Sequence, residues 1–141
     1  MTRFFENSDI TMTMPAYFWT AWTTLAVLVM YFWIVFNVGR ARAKFQIDAP
    51  VMDGPAPFLS VVRVQANTVE QMVMFLPALW LCAVYRGDHY SAVGGAVWIV
   101  GRILYAHAYY RDPAKRGPGF ALTVLATLGL MIGAASGLIH L

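Results

Sequence analysis

An all-α integral membrane protein, built as a bundle of four transmembrane helices, is the fold this sequence predicts. Two observations carry that expectation. Of 141 residues, 60% are hydrophobic and only 12% charged, well outside the usage of soluble domains. The apolar residues also fall into four stretches, each reaching the roughly 20 residues a helix needs to cross the hydrocarbon of a bilayer. The length fits a single domain spanning 1–141, and the mean hydropathy of +0.59 agrees with residence in lipid.

The first helix is expected at about 16–38, running from Ala16 to Val38 without a charge. A signal peptide fits it poorly, because the preceding segment is polar and contains acid and the apolar run exceeds an h-region; the helix is expected to stay in the mature protein. The second, at about 58–85, carries Arg63 and Glu70, and Pro77 inside it removes one backbone hydrogen bond, which predicts a kink. The third, at about 91–111, carries Arg102 and His107. The fourth, at about 119–141, has no acidic or basic residue except His140. Gly129, Gly133 and Gly137 form a GxxxGxxxG ridge on it, and Gly94 and Gly101 a weaker one on the third, so close backbone approach is expected within the chain or between subunits.

The connections are RARAKFQIDAPVMDGPAP, a tight turn at RGDHY, and RDPAKRGPG. Arg3 precedes the first helix. Arg40, Arg42 and Lys44 follow it, Arg86 follows the second, and Arg111, Lys115 and Arg116 follow the third. The two heavily basic connections fall on one side of a four-helix chain. That predicts a multi-pass protein with both of them in the cytoplasm and both termini on the opposite side. The net charge of +3 and pI near 9.2 do not point to nucleic acid, because the basic residues sit in small groups at the ends of apolar runs. Cys82 is the single cysteine, which excludes an intrachain disulfide and any CxxC metal or redox motif.

Function is expected where polarity is costly. A charge at membrane depth costs several kcal/mol, so it is normally buried in protein, paired and used. At about 100° per residue, Arg63, Asn67 and Glu70 fall within about 60° on one face of the second helix, with Gln65 turned away by about 200°. On the third helix Arg102, Tyr105 and Tyr109 share a face, and a continued helix would bring Arg116 onto it. A purely structural network is one reading, with Glu70 neutralising Arg63 or Arg102 and Asn67 as hydrogen-bonding glue; the tyrosines are equally at home as interfacial aromatics. Charge balance favours a ligand. Arg63, Arg102, Arg111, Lys115 and Arg116 stand against Glu70 and Asp112, an excess of positive charge that an anion would answer. His107 stands alone, and no second ligand lies at metal-binding spacing, so no metal is expected.

The stretch RVQANTVEQMVMFLP, followed about 30 residues later by GRILYAHAYYRDPAKR, resembles the MAPEG family, the membrane-associated proteins in eicosanoid and glutathione metabolism. The resemblance implies a homotrimer of four-helix subunits that binds glutathione between neighbouring subunits near the cytoplasmic face. It matches Arg63, Gln65, Asn67 and Glu70 to glutathione-holding residues and Tyr105 and Tyr109 to tyrosines of the same pocket. Arg40 or Arg42 is similar to a basic residue that meets a glutathione carboxylate. Arg116 matches the arginine that stabilises the thiolate, with Arg111 and Lys115 as rivals because Pro113 and Gly117-Pro118 interrupt the connection and Asp112-Pro113 is suited to cap a new turn.

Glutathione carries two carboxylates and one ammonium, so several arginines and one carboxylate match its charges; Arg102 belongs to that set, and Glu70 suits the ammonium. A guanidinium near the thiol favours the nucleophilic anion. The expected activity is that of a microsomal-type glutathione transferase, detoxifying lipophilic electrophiles at the lipid-exposed side of the cleft, with glutathione-dependent peroxidase action on lipid hydroperoxides as a second reaction. The alternatives are a glutathione-dependent lipid-mediator-type synthase or isomerase and a non-enzymatic lipid-binding scaffold of the same fold. A small transporter is the weakest, since no inverted repeat is present.

Overall fold

The computed structural model describes residues 15–140; Arg3 in the charge tally and Leu141 at the end of the fourth apolar stretch lie outside them. Four helices follow in order: α1 (Phe18–Phe45), α2 (Ala56–Tyr85), α3 (Asp88–Arg111) and α4 (Gly117–Ile139), with one 3₁₀ turn over Pro113–Arg116 leading into α4. Among the described residues there is no strand. Three segments are long and apolar enough to cross a membrane, Phe18–Phe45, Ala56–Tyr85 and Pro113–Ile139. α3 differs from the expectation of four such spans: its glycines, Arg102, His107 and tyrosines dilute its apolar character. It packs against each of the other three helices, and of its polar side chains Ser91, Arg102 and Tyr105 are buried while His107 and Arg111 are exposed.

α2, α3 and α4 pack against one another, and α1 leans on α2 and α3. Phe75 and Trp98 stack at 4.0 Å with an interplanar angle of 7° in the centre of the core, joined by Val27, Met30, Ile34, Leu79, Cys82 and Leu130. A smaller cluster of Val38, Ala41, Phe58 and Val62 fastens the end of α1 to the start of α2.

α1 continues well past Val38, where the apolar run stops. Arg40, Arg42 and Lys44 alternate with helix-forming alanines, Ala41 is buried beside Phe58, and cations suit the negative end of the helix dipole. The basic residues expected in a loop therefore sit on two further helical turns. Gln46 closes the helix in the left-handed conformation. Between α2 and α3 only Arg86 and Gly87 intervene, and Gly87 takes φ 126°, a conformation that costs L side chains strain.

α3 starts at Asp88 rather than near Ser91 because the Asp88 carboxylate caps α1. Its Oδ2 accepts from the Trp19 N–H at 2.9 Å and its Oδ1 from the Thr20 N–H at 2.8 Å. Partial burial raises its pKa, but hydrogen bonds from the Thr20 side chain and these two N–H groups, with the charge of His89, hold it below the usual carboxylate value. A depressed carboxyl contributes stability above its unfolded pKa, near about 4, and loses it as pH falls through the lower folded value. Asp88→Ala is expected to cost at most about 1 kcal/mol at neutral pH, since solvent reaches the pair. The deficit should vanish in melts at strongly acidic pH; an offset that persists there would contradict the capping role.

Candidate functional site

The polar residues of α2 and α3 meet where the 3₁₀ turn crosses the ends of the helices. Arg116 joins Asn67, Glu70, Gln71, Tyr105, Gly117 and Phe120 around a cleft of about 350 Å³. The Asn67 Nδ2 donates to the Tyr105 hydroxyl at 2.6 Å. The Tyr105 and Tyr109 rings lie 5.5 Å apart, and the Arg116 guanidinium sits 5.5 Å above the Tyr109 ring.

α3 does end before Arg116. Asp112 is extended, and its Oδ1 accepts from the Ala114 N–H at 3.0 Å to start the new turn. The tight turn nonetheless returns Arg116 to the tyrosine face, where its Nη1 donates to the Pro113 carbonyl at 3.0 Å. The two rivals stand elsewhere: Lys115 reaches Asp112 at 4.0 Å, and Arg111 is exposed at the end of α3 and does not line this cleft.

Arg102 departs from the expected donor stripe. It is fully buried, with Nη2 donating to the Thr68 hydroxyl at 2.6 Å and its guanidinium 4.1 Å from the Tyr105 ring centre. It therefore lies behind the tyrosine rather than in the cleft, because α3 turns this face toward α2. Glu70 pairs with neither Arg63 nor Arg102; Lys115–Asp112 is the sole ion pair among the described residues. Of the structural network considered for Arg63, Asn67 and Glu70, the ion pairing is thus absent within one chain, while Asn67 does bond α2 to α3 through Tyr105. Asn67 is half-buried on Tyr105, while Arg63 and Glu70 are exposed.

Gln65 looks the other way, its Nε2 donating to the Tyr31 hydroxyl of α1 at 3.5 Å. On that side a second cleft of about 610 Å³ is lined by Trp33, Asn37, Arg40, Lys44, Tyr110 and neighbours. Arg40 is free to meet a ligand there. Arg42 is occupied, because its Nη1 donates to the Val51 carbonyl at 2.8 Å and the Asp48 carbonyl at 3.3 Å. Arg42→Ala is expected to loosen the connection at a cost of about 1 kcal/mol, read as faster amide exchange over 47–52; Arg40→Ala should leave that exchange unchanged. If the two variants exchange alike, the clamp is not formed.

Gln71, Phe120, Asn37, Lys44 and Tyr110 line these clefts and were not singled out by the sequence. Gln71 carried a usable signal as a second polar residue beside Glu70; Phe120 and Tyr110 carried none among so many aromatics. An apolar groove of about 520 Å³ runs between α1 and α3 along Ala26, Val29, Met30, Trp33, Ile99, Ile103 and His107. His107 is satisfied locally, its Nδ1 bonding the Ile103 carbonyl at 2.9 Å and its ring stacked on Trp33 at 5.4 Å. No group of three or more His, Cys, Asp or Glu side chains able to hold a metal stands together among the described residues.

The sequence model of the MAPEG family matches residues 20–136. An uncharacterized protein of Synechocystis sp. is 47% identical over 123 residues, taking in 87% of this chain and 90% of that one. Microsomal glutathione S-transferase 2 of Homo sapiens is 36% identical over 97 residues, 67% of this chain and 66% of its own. Leukotriene C4 synthase of Cavia porcellus is 34% identical over 117 residues, 77% of each chain.

Proposed function

The chain belongs to the MAPEG family, and from that premise we propose that it is a membrane-bound glutathione transferase that joins the glutathione thiolate to lipophilic electrophiles. The observation that carries this reading is the cleft where Arg116, stacked on Tyr109, faces Asn67, Glu70 and Tyr105. It offers a cation for the thiolate, neutral donors for a carboxylate and one carboxylate for the ammonium.

In this reading Arg116 holds the sulfur as the anion, which is the nucleophilic form, and Glu70 receives the γ-glutamyl ammonium. Asn67 and the Tyr105 hydroxyl fix the backbone of the peptide. With an aryl halide the sulfur forms a new bond to the ring carbon, the carbon–halogen bond breaks, and halide leaves. The electrophile arrives from the apolar side of the cleft, where Phe120 stands. A lipid hydroperoxide is the proposed second substrate: the thiolate takes its outer oxygen as the O–O bond breaks and the lipid alcohol leaves, and a second glutathione reduces the resulting sulfenic acid to give the disulfide and water.

Arg63 and Glu70 are left exposed on a 30-residue helix otherwise suited to lipid, an arrangement that hydrocarbon would penalise. A homotrimer is the proposed remedy. A neighbouring subunit would cover the α2 face, and its Arg40 and Gln65, which face away from Arg116 within one chain, would complete the site. The basic ends of α1 and α3 are proposed to lie in the cytoplasm, where glutathione reaches them.

A lipid-mediator-type synthase is the second reading, favoured by the relatives named leukotriene C4 synthase and by the apolar groove between α1 and α3. Substrate profiling separates the two: a transferase turns over small aryl halides and many electrophiles, a synthase one lipid class. Calorimetry on the detergent-solubilised protein tests their common premise, since absence of glutathione binding at millimolar concentration would leave a lipid-binding scaffold.

A further inference from the structure

Arg102 is a cation with no counter-ion. It is 0% exposed, its Nε and Nη1 have no hydrogen-bond partner, and no carboxylate reaches it among the described residues. Its one bond goes to the Thr68 hydroxyl, which in turn donates to the Val64 carbonyl at 2.6 Å, so that chain ends on the α2 backbone without supplying negative charge. Packing alone does not explain such a residue, because an apolar side chain of similar volume commonly does as well or better in a buried position.

What Arg102 does touch is the face of Tyr105. The contact begins a ladder of four side chains: Arg102 lies 4.1 Å from the Tyr105 ring centre, Tyr105 is 5.5 Å from Tyr109, and Tyr109 is 5.5 Å beneath Arg116. A cation on a π-face fixes both ring and guanidinium. The ring fixed here carries the hydroxyl that accepts from Asn67 at 2.6 Å, which leaves the Tyr105 O–H free to donate to a ligand in the cleft.

Resting on the proposed glutathione site, we infer that Arg102 is its positioning residue: an internal, unneutralised charge that orients Tyr105 and, through the tyrosine pair, seats Arg116 for an anionic ligand. It does not contact the ligand. Its charge and planar shape act on the cleft from behind, alongside Arg116 and against Glu70. Both properties matter, since a lysine keeps the charge but cannot lie flat on the ring or bond Thr68 with a fixed fork.

The test compares wild type, Arg102→Met and Arg102→Lys in detergent, reading thermal stability, glutathione affinity by calorimetry, and bound thiolate by ultraviolet absorbance across pH. Arg102→Met is expected to melt at or above the wild-type temperature yet bind glutathione about tenfold more weakly, with the thiolate titration midpoint raised by about one unit. Arg102→Lys should recover part of the thiolate shift but little of the affinity. Wild-type binding and titration in Arg102→Met would overturn the assignment, as would unfolding of both variants, which would make Arg102 a folding residue. If wild type itself binds no glutathione, the proposed function fails and takes this inference with it.

Discussion

Arg116→Ala is expected to lower turnover of a chromogenic aryl halide by about a hundredfold, the scale of losing one donor aimed at a reacting anion. Glutathione affinity should fall by less than about tenfold, because Glu70, Asn67 and Tyr105 would still hold the rest of the peptide. The asymmetry among three neighbouring cations makes the expectation specific. Arg116 lines the cleft and stacks on Tyr109, whereas Lys115 is spent on Asp112 and Arg111 is exposed outside the cleft. Arg111→Ala and Lys115→Ala should therefore stay within about twofold of wild type, as solvated surface charges do. Full turnover by Arg116→Ala would remove thiolate stabilisation from this turn.

The second large effect is expected at Gly119, where α4 crosses α3. A Cβ placed there would stand 2.7 Å from the Tyr105 Cα and 2.9 Å from the Gly101 carbonyl oxygen. Both obstacles are backbone, so neither can rotate away, and the crossing itself would have to open. Gly119→Ala is expected to cost about 1–3 kcal/mol and Gly119→Leu to prevent stable assembly. Because the atom struck belongs to Tyr105, glutathione affinity should collapse with stability. Gly129→Ala is the control: nothing lies within 4 Å of that position, and the better helix propensity of alanine predicts a gain of about 0.5–1 kcal/mol. Equal melting temperatures for the two alanine variants would refute the close crossing.

The glycine ridge illustrates how far sequence reading carries. The repeat at Gly129, Gly133 and Gly137 is regular, yet Gly129 faces open space, while Gly133 meets Tyr90 and Cys82 and Gly137 meets the Tyr85 backbone. The tightest contact at the site, Gly119 on Tyr105, belongs to no repeat. Helical periodicity reveals which residues share a face; it cannot say which neighbour that face meets. The same limit governs Arg102. Its phase with Tyr105 and Tyr109 was legible, but whether that face opened to a ligand or closed on α2 depended on packing.

Helix ends followed local chemistry more than hydropathy. α1 outlasts its apolar run because alanines between Arg40, Arg42 and Lys44 favour helix, and α3 begins early because Asp88 has a partner 68 residues away in Thr20. The break before Arg116 was foreseeable from Asp112-Pro113. That the turn would still carry Arg116 back over Tyr109 was not, since it rests on three-dimensional return of the chain rather than on phase. Gln65 and Arg40, matched to the same ligand by resemblance, lie on a different side from Arg116, and within one chain nothing brings the two sets together.

The most direct test of the account is therefore a density map of the detergent-solubilised protein with glutathione bound. The peptide is expected between two copies of the chain, its sulfur at Arg116, its ammonium at Glu70, and the neighbouring subunit's Arg40 and Gln65 closing the site. Glutathione bound within a single chain away from Asn67, Tyr105 and Arg116, or a map without glutathione at millimolar concentration, would contradict it.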